Sequence, residues 1–523
     1  MLRVAVSGYY GFNNTGDEAI LAALITTLRA LAPGVDITVF SHCPRETRRL
    51  FGVRAVNRWN PLGVAFSLLR SDLLLSGGGG LLQDVTGVRS LCYYLAVVAL
   101  AKILGKPVIY YAQGVGPIRT RFGRWLTRII SNRVDLITVR DQASRDDFLQ
   151  MGVDRPPVVV TADPVLAVSP AHFGPEAGAA VLDRARGEAG EEAEGGEPPR
   201  GVRPPGKAAA PGVGAEKAFL WETSEKPSLE RKAAAGAGPG QTGSGEPPAG
   251  GGEGVAGGEG CPPSGGNPSG GGAAAAGQDG RRPDPGREPS GNGSGGAAEG
   301  KAAAGAGQAA GKARPAGEKK RRLLGIAVRD WKDCYEYKRA IAAAADRLVR
   351  EGWEVVFIPF HFPRDLQSCQ ETSWLMQEPN LLIRFKLSVE ELFSLLGQLD
   401  LVLGMRLHAL IMASVMRTPC VGITYDPKVA RFLEMTGQPV AGTVEDLDGD
   451  RLYEEIVRAW ERRQEIAAHL EQVLVPLRQR AWETAALAMS VFYSRYPHRR
   501  GENGRNGRSP GAAERQTKSG RHR

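Results

Sequence analysis

Gly404-Met405-Arg406-Leu407-His408 follows the short apolar stretch Leu401–Leu403 and opens a run of small and apolar residues. Arg406 offers a planar fork that can hold a carboxylate or a phosphate through two bonds. The amides at the start of a helix add further donors for an anion. His408 carries the side chain best suited to give and take a proton near neutral pH. Anion binding coupled to proton transfer is the chemistry this segment offers. The plainer alternative is a surface Arg beside a hydrogen-bonded His at a helix start.

Two further arginines, Arg140 and Arg329, each follow an apolar stretch and precede an aspartate, Asp141 and Asp330. An Arg at a strand end can face an anion in a cleft, or can simply pair with the Asp next to it. Between the first strand and its helix runs Gly8-Tyr9-Tyr10-Gly11-Phe12-Asn13-Asn14-Thr15-Gly16-Asp17-Glu18. Its backbone amides could meet a phosphate or a sugar, and Asp17 could instead cap the helix. It is neither a dinucleotide fingerprint nor a Walker A loop. Gly77–Gly80 with Gln83 and Asp84 permits a close backbone approach or a plain tight turn. Tyr425-Asp426-Pro427-Lys428-Val429 ends another strand and could line the same cleft. His and carboxylates show no metal-ligand spacing, and no serine-hydrolase elbow is present.

The elements that must position these residues alternate. In the first half, strands are expected at Arg3–Ser7, Ile37–Phe40, Asp72–Ser76, Val108–Tyr111, Leu136–Val139 and Val158–Thr161. Helices are expected at about Glu18–Leu31, Leu91–Leu104, Leu126–Ser131 and Ala143–Met151. The second half repeats the style with strands Leu324–Val328, Glu354–Pro359, Leu401–Leu403 and Cys420–Thr424. Its helices are expected at Tyr337–Arg350, Val389–Gln398 and from Ala409. A last helical stretch, Asp448–Val491, is expected to pack back across both halves. Short apolar strands alternating with helices indicate parallel sheets covered on both faces. The fold class is therefore α/β, with two Rossmann-like domains facing a cleft. Every polar cluster named above lies just after a strand, where open α/β sheets bind ligands.

The chain has 523 residues and a formal net charge of +9. Residues 174–320 are mostly Gly, Ala, Pro, Glu and Ser, with almost no large apolar side chains. Such a block cannot bury enough apolar surface to offset its ordering entropy. It reads as a long disordered insert between domains at 1–173 and 321–495, followed by a disordered basic tail at 496–523. Lys319–Arg322 and the Arg-rich tail read as solvated runs or as attraction to an anionic membrane surface. No nucleic-acid-binding signature accompanies them. The six cysteines are scattered, without a CxxC pair, and read as reduced, mostly buried thiols. The apolar stretch Leu91–Leu104 is too short for a membrane span. No secretory h-region precedes the first strand. The expectation is a cytoplasmic protein, or one peripheral to the inner face of the cell membrane.

Taken in order, Gly8–Glu18, Gly77–Asp84, Gln113–Pro117, Val139–Asp141, Ala162–Pro164, Gly325–Trp331, Gly404–His408 and Gly422–Lys428 resemble the polysaccharide pyruvyl transferase family. Within it they are most similar to the bacterial branch that modifies the secondary cell-wall polysaccharide anchoring S-layer proteins. The resemblance covers both halves, and the insert departs from it. It implies a GT-B-like fold. It implies that phosphoenolpyruvate, a co-substrate rather than a cofactor, gives its three-carbon unit to N-acetylmannosamine. The product is a 4,6-linked ketal on a lipid-linked saccharide, and phosphate is released. Arg406, Leu407 and His408 match the donor-site motif, with His408 and Arg406 as catalytic groups, and Arg140 matches a further donor-site Arg. Arg329 is added to the donor set on its position. The N-terminal loops carrying Asn14 and Asp17 are left to face the acceptor. No metal is required.

Two other readings stay open. One is a nucleotide-sugar-dependent glycosyltransferase of cell-envelope polysaccharide synthesis on the same fold. The other is a non-catalytic binding or scaffold protein of the cell envelope.

Overall fold

A computed structural model describes residues 1–194 and 321–497, apart from Thr86 and Asp333. The first sheet contains β1 (Arg3–Tyr10), β2 (Asp36–Ser41), β3 (Arg54–Asn57), β4 (Leu73–Ser76), β5 (Gly79–Leu82), β6 (Val108–Val115), β7 (Leu136–Val139) and β8 (Val158–Val160). Its order is β3-β2-β1-β4-β6-β7-β8, with β5 paired to β6 and every pairing parallel. The second sheet contains β9 (Arg322–Ala327), β10 (Trp353–Phe357), β11 (Leu381–Leu382), β12 (Leu401–Gly404), β13 (Cys420–Thr424) and β14 (Val440–Thr443). It is also parallel, in the order β11-β10-β9-β12-β13-β14. Each sheet starts in the middle, runs to one edge, and returns to the other side. The crevices between β1 and β4 and between β9 and β12 are therefore the points where each order reverses, and ligands bind there in this architecture. The two Rossmann-like halves are as expected.

Local sequence explains the elements. β4, β6, β7 and β12 are buried along their whole length, as strands covered on both faces must be. The helix Thr15–Leu31 is buried from Thr15 to Leu21, because it lies between its own sheet and the second half. Ala19 and Ile20 belong to the second half's hydrophobic core. The helix Arg463–Arg495 has 33 residues, about 50 Å at 1.5 Å per residue. Its first part buries Ile466, Leu470 and Leu477 in the second half. Its last part buries Ala485, Ala488, Met489 and Phe492 beside β1 and β4. The Thr484 hydroxyl donates to the Thr161 hydroxyl at 2.8 Å. This helix ties the halves together, as the sequence led one to expect.

Several bounds differ. Pro175–Glu194 is helical, although the sequence placed an unstructured insert from 174. Its Val181, Leu182 and Ala185 are buried against the second half, and Arg186 pairs with Glu354 at 2.8 Å. These three residues form one buried apolar face, and the Gly178 amide donates to Ser394 while the Pro175 carbonyl accepts from Gln398, each at 2.7 Å. The rest of that insert, with Cys261, and the tail from 498 lie outside the described residues. The described cysteines are unpaired; Cys369 and Cys420 are buried, while Cys43, Cys92 and Cys334 are half-buried. Among the described residues no helix is long and apolar enough to cross a membrane.

Candidate functional site between the two halves

The helix Leu407–Val415 starts directly after β12, and Arg406 is its N-cap residue. Ala409–Val415 are all buried, so packing fixes where this helix begins. His408 thereby points at the first half. A Cβ placed on Gly16 would come within 2.5 Å of the His408 Nδ1. Only a glycine lets the start of helix Thr15–Leu31 approach the ring this closely. The His408 Nε2 lies 3.6 Å from Asp163 Oδ2, and its side chain is 17% exposed.

Asp163 organises the first half's share of the site. It caps the short helix Pro164–Ala167 by accepting from the Val165 amide at 3.1 Å. It also accepts from Arg140 at 2.9 Å. Burial alone would raise the Asp163 carboxyl, but His408 and Arg140 outweigh burial and hold it well below the usual carboxylate range. Arg140 was expected either to face an anion or to pair with Asp141. Its shorter contact is with Asp163, and Asp141 Oδ2 is 3.8 Å away.

Arg406 does not present a free fork. Its Nε and one terminal nitrogen bond both oxygens of Asp365, a bidentate pair. Asp365 also accepts from the His361 amide at 2.9 Å. His361 in turn reaches the first half. Its Nε2 donates to the Phe12 carbonyl at 3.2 Å. Beside it, the Thr15 amide donates to Phe360 O at 2.9 Å, and the Phe362 amide donates to Asn13 O at 3.1 Å. The loop after β1 and the loop after β10 are thus joined by backbone hydrogen bonds. Lys386 adds a bond to Asn13 Oδ1 at 2.6 Å and an ion pair with Glu46 at 2.5 Å.

Two buried carboxyl groups of the first half complete the cluster. Asp17 lies in the first turn of its helix rather than capping it, and Asn14 Nδ2 donates to Asp17 Oδ2 at 2.5 Å. Burial pushes Asp17 up to about 6, against the pull of His408, Arg140 and Arg406. Burial likewise pushes Glu18 up to about 7, against a hydrogen bond from the Gly11 amide. Lys428, from the segment after β13, is pulled down to about 8 by burial, with Arg140 adding to the effect. A Cβ on Gly80 would lie 3.5 Å from its Nζ. A carboxyl raised by burial and an ammonium lowered by it are each suited to proton transfer near neutral pH.

His408, Arg406, Arg140, Asp17 and Asn14 therefore lie in one cluster between the halves. Leu407 is half-buried against the second core. Arg329 stands apart from the central carboxylates. It bonds the Tyr425 hydroxyl at 3.1 Å, and its neighbour Asp330 pairs with Lys338 at 2.5 Å instead. Asp163, Asp365 and His361 are the important additions. Asp163 and His361 follow strands, as the other site residues do. Asp365 sits inside a helix, four residues beyond His361, and had no such positional signal. Among the described residues no group of three or more His, Cys, Asp or Glu could hold a metal ion.

The fold matches solved structures at low identity. One is a UDP-N-acetylglucosamine 2-epimerase from Listeria monocytogenes, so named provisionally, with a TM-score of 0.50 and 11% identity over 95% of this chain and 97% of that one. Another is HepE from Anabaena in complex with UDP-glucose, with a TM-score of 0.51 and 10% identity over 94% of this chain and 100% of that one. At such identities the likeness concerns the fold, two parallel-sheet α/β domains of the GT-B type. No curated protein matches the sequence. The model of the polysaccharide pyruvyl transferase family matches residues 14–196 and 305–427, more than half of the chain. The matched segments carry Asn14, Asp17, Arg140 and Asp163 from the first half and Asp365, Arg406 and His408 from the second; the chain belongs to the polysaccharide pyruvyl transferase family.

Proposed function

We propose that this protein transfers pyruvate from phosphoenolpyruvate, as a 4,6-linked ketal, onto an N-acetylmannosamine residue of a lipid-linked cell-wall polysaccharide precursor. The observation that carries this reading is the meeting of His408 and Arg406 with Arg140 and Asp17 between the two halves. Phosphoenolpyruvate brings a carboxylate and a phosphate close together. Arg140, Arg406 and Lys428 supply positive charge from both sides, and their paired carboxylates fix where that charge sits.

The reaction needs a proton on the methylene carbon, which makes the central carbon electrophilic. One sugar hydroxyl adds to that carbon, phosphate leaves, and the second hydroxyl closes the ketal. Of the two hydroxyl protons, one balances the new methyl group and the other leaves with phosphate. His408 is the group for the carbon protonation. Asp17, whose carboxyl burial raises to about 6, is the group to accept a hydroxyl proton, with Asn14 beside it on the acceptor side. Arg406 and Arg140 steady the departing phosphate. Arg329, through Tyr425, borders the donor side.

The test is phosphate release by the full chain supplied with phosphoenolpyruvate and a saccharide containing N-acetylmannosamine. Release only when both are present is expected, with the ketal methyl visible by NMR. Turnover of a UDP-sugar onto the same acceptor, without phosphoenolpyruvate, would replace this reading with the glycosyltransferase one. The closer assignment to S-layer anchoring rests on which acceptor is preferred.

A further inference from the structure

The first half carries an outer face that neither core nor second half covers. The helix Pro61–Arg70 buries Val64 and Leu68 against the sheet, yet leaves Leu62 81%, Phe66 58% and Leu69 55% exposed on its other side. A helix that is apolar on both faces needs a second apolar contact. Just before it, Trp59 is 55% exposed. The neighbouring helix Val88–Ile103 touches it through Trp59 and Tyr93, whose rings lie 5.4 Å apart. On its far side the helix Arg121–Ser131 packs so closely that a Cβ on Gly123 would meet Leu91 at 3.0 Å. That third helix shows Phe122 and Trp125, 53% and 55% exposed, stacked on one another. The three helices thus form one layer with large apolar side chains on its outside. Scattered exposed apolar residues are ordinary, but a layer of them is not.

The charge on this layer is mostly positive; the acid at its border, Asp135, pairs with Lys102 of the second helix at 2.7 Å. From Arg58 to Arg133 the sequence holds ten Lys and Arg and only two acidic residues, Asp72 and Asp84. Both acids are already engaged. Asp72 pairs with Arg3 at 3.1 Å. Asp84 accepts from the Arg119 and Thr120 amides and the Thr120 hydroxyl at 2.7 to 2.8 Å. Arg70, Arg89, Arg119, Arg121 and Arg124 are exposed around the aromatic residues. Aromatic and leucine side chains interleaved with arginines suit the boundary between headgroups and acyl chains of an anionic bilayer. An anionic bilayer offers negative charge across the whole of such a face, together with an apolar interior for the aromatic side chains.

We infer that this helical layer docks the protein onto an anionic lipid bilayer, with Trp59, Leu62, Phe66, Phe122 and Trp125 entering the interface. In a parallel α/β sheet each helix begins at the carboxyl edge of the strand before it. Trp59, Leu62 and Phe122 stand at those beginnings, on the same edge as Asp17 and the loop after β1. Docking in this way brings the open edge of the site to the membrane, where a saccharide carried on a lipid would be presented. The inference does not depend on the donor or on the reaction.

The experiment is co-sedimentation of the full chain with vesicles of phosphatidylglycerol and phosphatidylcholine, against vesicles of phosphatidylcholine alone. Binding to the anionic vesicles is expected, weakening as salt rises. The variant Leu62→Ser/Phe66→Ser/Trp125→Ser and the variant Arg121→Glu/Arg124→Glu should each lower partitioning by about tenfold or more. All five side chains are exposed, so unchanged melting temperatures are expected. Equal vesicle binding by the parent and both variants would overturn the inference and assign any binding to another basic segment. A parent that is dimeric in light scattering, with a monomeric triple variant and no vesicle binding, would overturn it in favour of a second copy on this face.

Discussion

The His408 imidazole lies 3.6 Å from the Asp163 carboxylate, and the two residues come from opposite halves of the chain. Asp163 holds Arg140 at 2.9 Å through the same oxygen. One carboxylate therefore sits between an imidazole suited to move a proton and a guanidinium suited to bind an anion. Its charge also compensates the Arg140 guanidinium in a buried place.

If Asp163 acts through His408, the two should not contribute independently. His408→Ala is expected to lower kcat by about 100-fold or more. Asp163→Asn should lower it by a similar order, while keeping the capping bond to Val165 through the amide oxygen. The double variant should be no worse than His408→Ala alone. Steady-state phosphate release measures all three. Additive losses would mean that Asp163 acts separately.

The pair of Arg406 and Asp365 is nearly buried, with side-chain exposures of 13% and 2%. Removing one charge leaves the other unpaired inside the protein. Asp365→Asn is expected to destabilise by about 3 kcal/mol, the lower end for a broken buried pair. Urea denaturation measures it. A loss under about 1 kcal/mol would mean that Arg406 finds solvent or another partner once Asp365 is neutral.

The sequence made the strand-end residues legible, and the structure shows why. In both sheets a site residue such as Arg140 or His408 follows a run of apolar residues, because the strand is covered on both faces and ends at the crevice. That pattern needs no knowledge of contacts. Asp365 was invisible for the opposite reason: its meaning comes from Arg406, 41 positions later, and nothing local marks it. The edge strands β3 and β14 were missed because their ends are exposed and no run of large apolar residues marks them, and β11 because it has only two residues. The helix Pro175–Glu194 was missed because its composition outweighed its small buried stripe.

Asp17 supplies a pH dependence. Burial holds its carboxyl up at about 6. As a base it works only when ionised, so kcat should rise as pH rises through about 6 and level off above it. Asp17→Asn should remove that rise along with most activity, whereas Asp17→Glu should keep part of both. A pH-rate profile of the parent that is flat from 5 to 7 would remove Asp17 from the proton transfer.

Glu18 should act on stability instead. Its Oε1 accepts from the Gly11 amide at 2.7 Å, while its Oε2 is buried without a hydrogen-bond partner. Burial pushes it up to about 7, above the ordinary 4.5 of a Glu. Between those values the folded protein holds a proton that the unfolded chain has lost, so stability falls as pH rises across that window. Glu18→Gln keeps the bond from Gly11 and removes the ionisation. It is expected to be more stable than the parent at pH 8, by the order of 3 kcal/mol, and nearly equal to it at pH 4. Chemical denaturation at both pH values decides, and an equal difference at each would rule out ionisation as the cause.

Gly16 tests the approach of the two halves. A Cβ there would lie 2.5 Å from His408 Nδ1 and 2.7 Å from both its Cβ and Cγ. Those atoms belong to the ring and its root, which cannot swing away as the tip of a flexible chain can. Gly16 is also the second residue of the helix Thr15–Leu31, where Ala favours the helix over Gly by up to about 1 kcal/mol. Gly16→Ala should therefore leave the first half folded while displacing His408 from Asp163. The expected outcome is a loss of about 100-fold in kcat, the scale for a misplacement of about 1 Å, with a melting temperature close to the parent's. Unchanged turnover would show that His408 does not need to sit against the first half for the reaction to proceed.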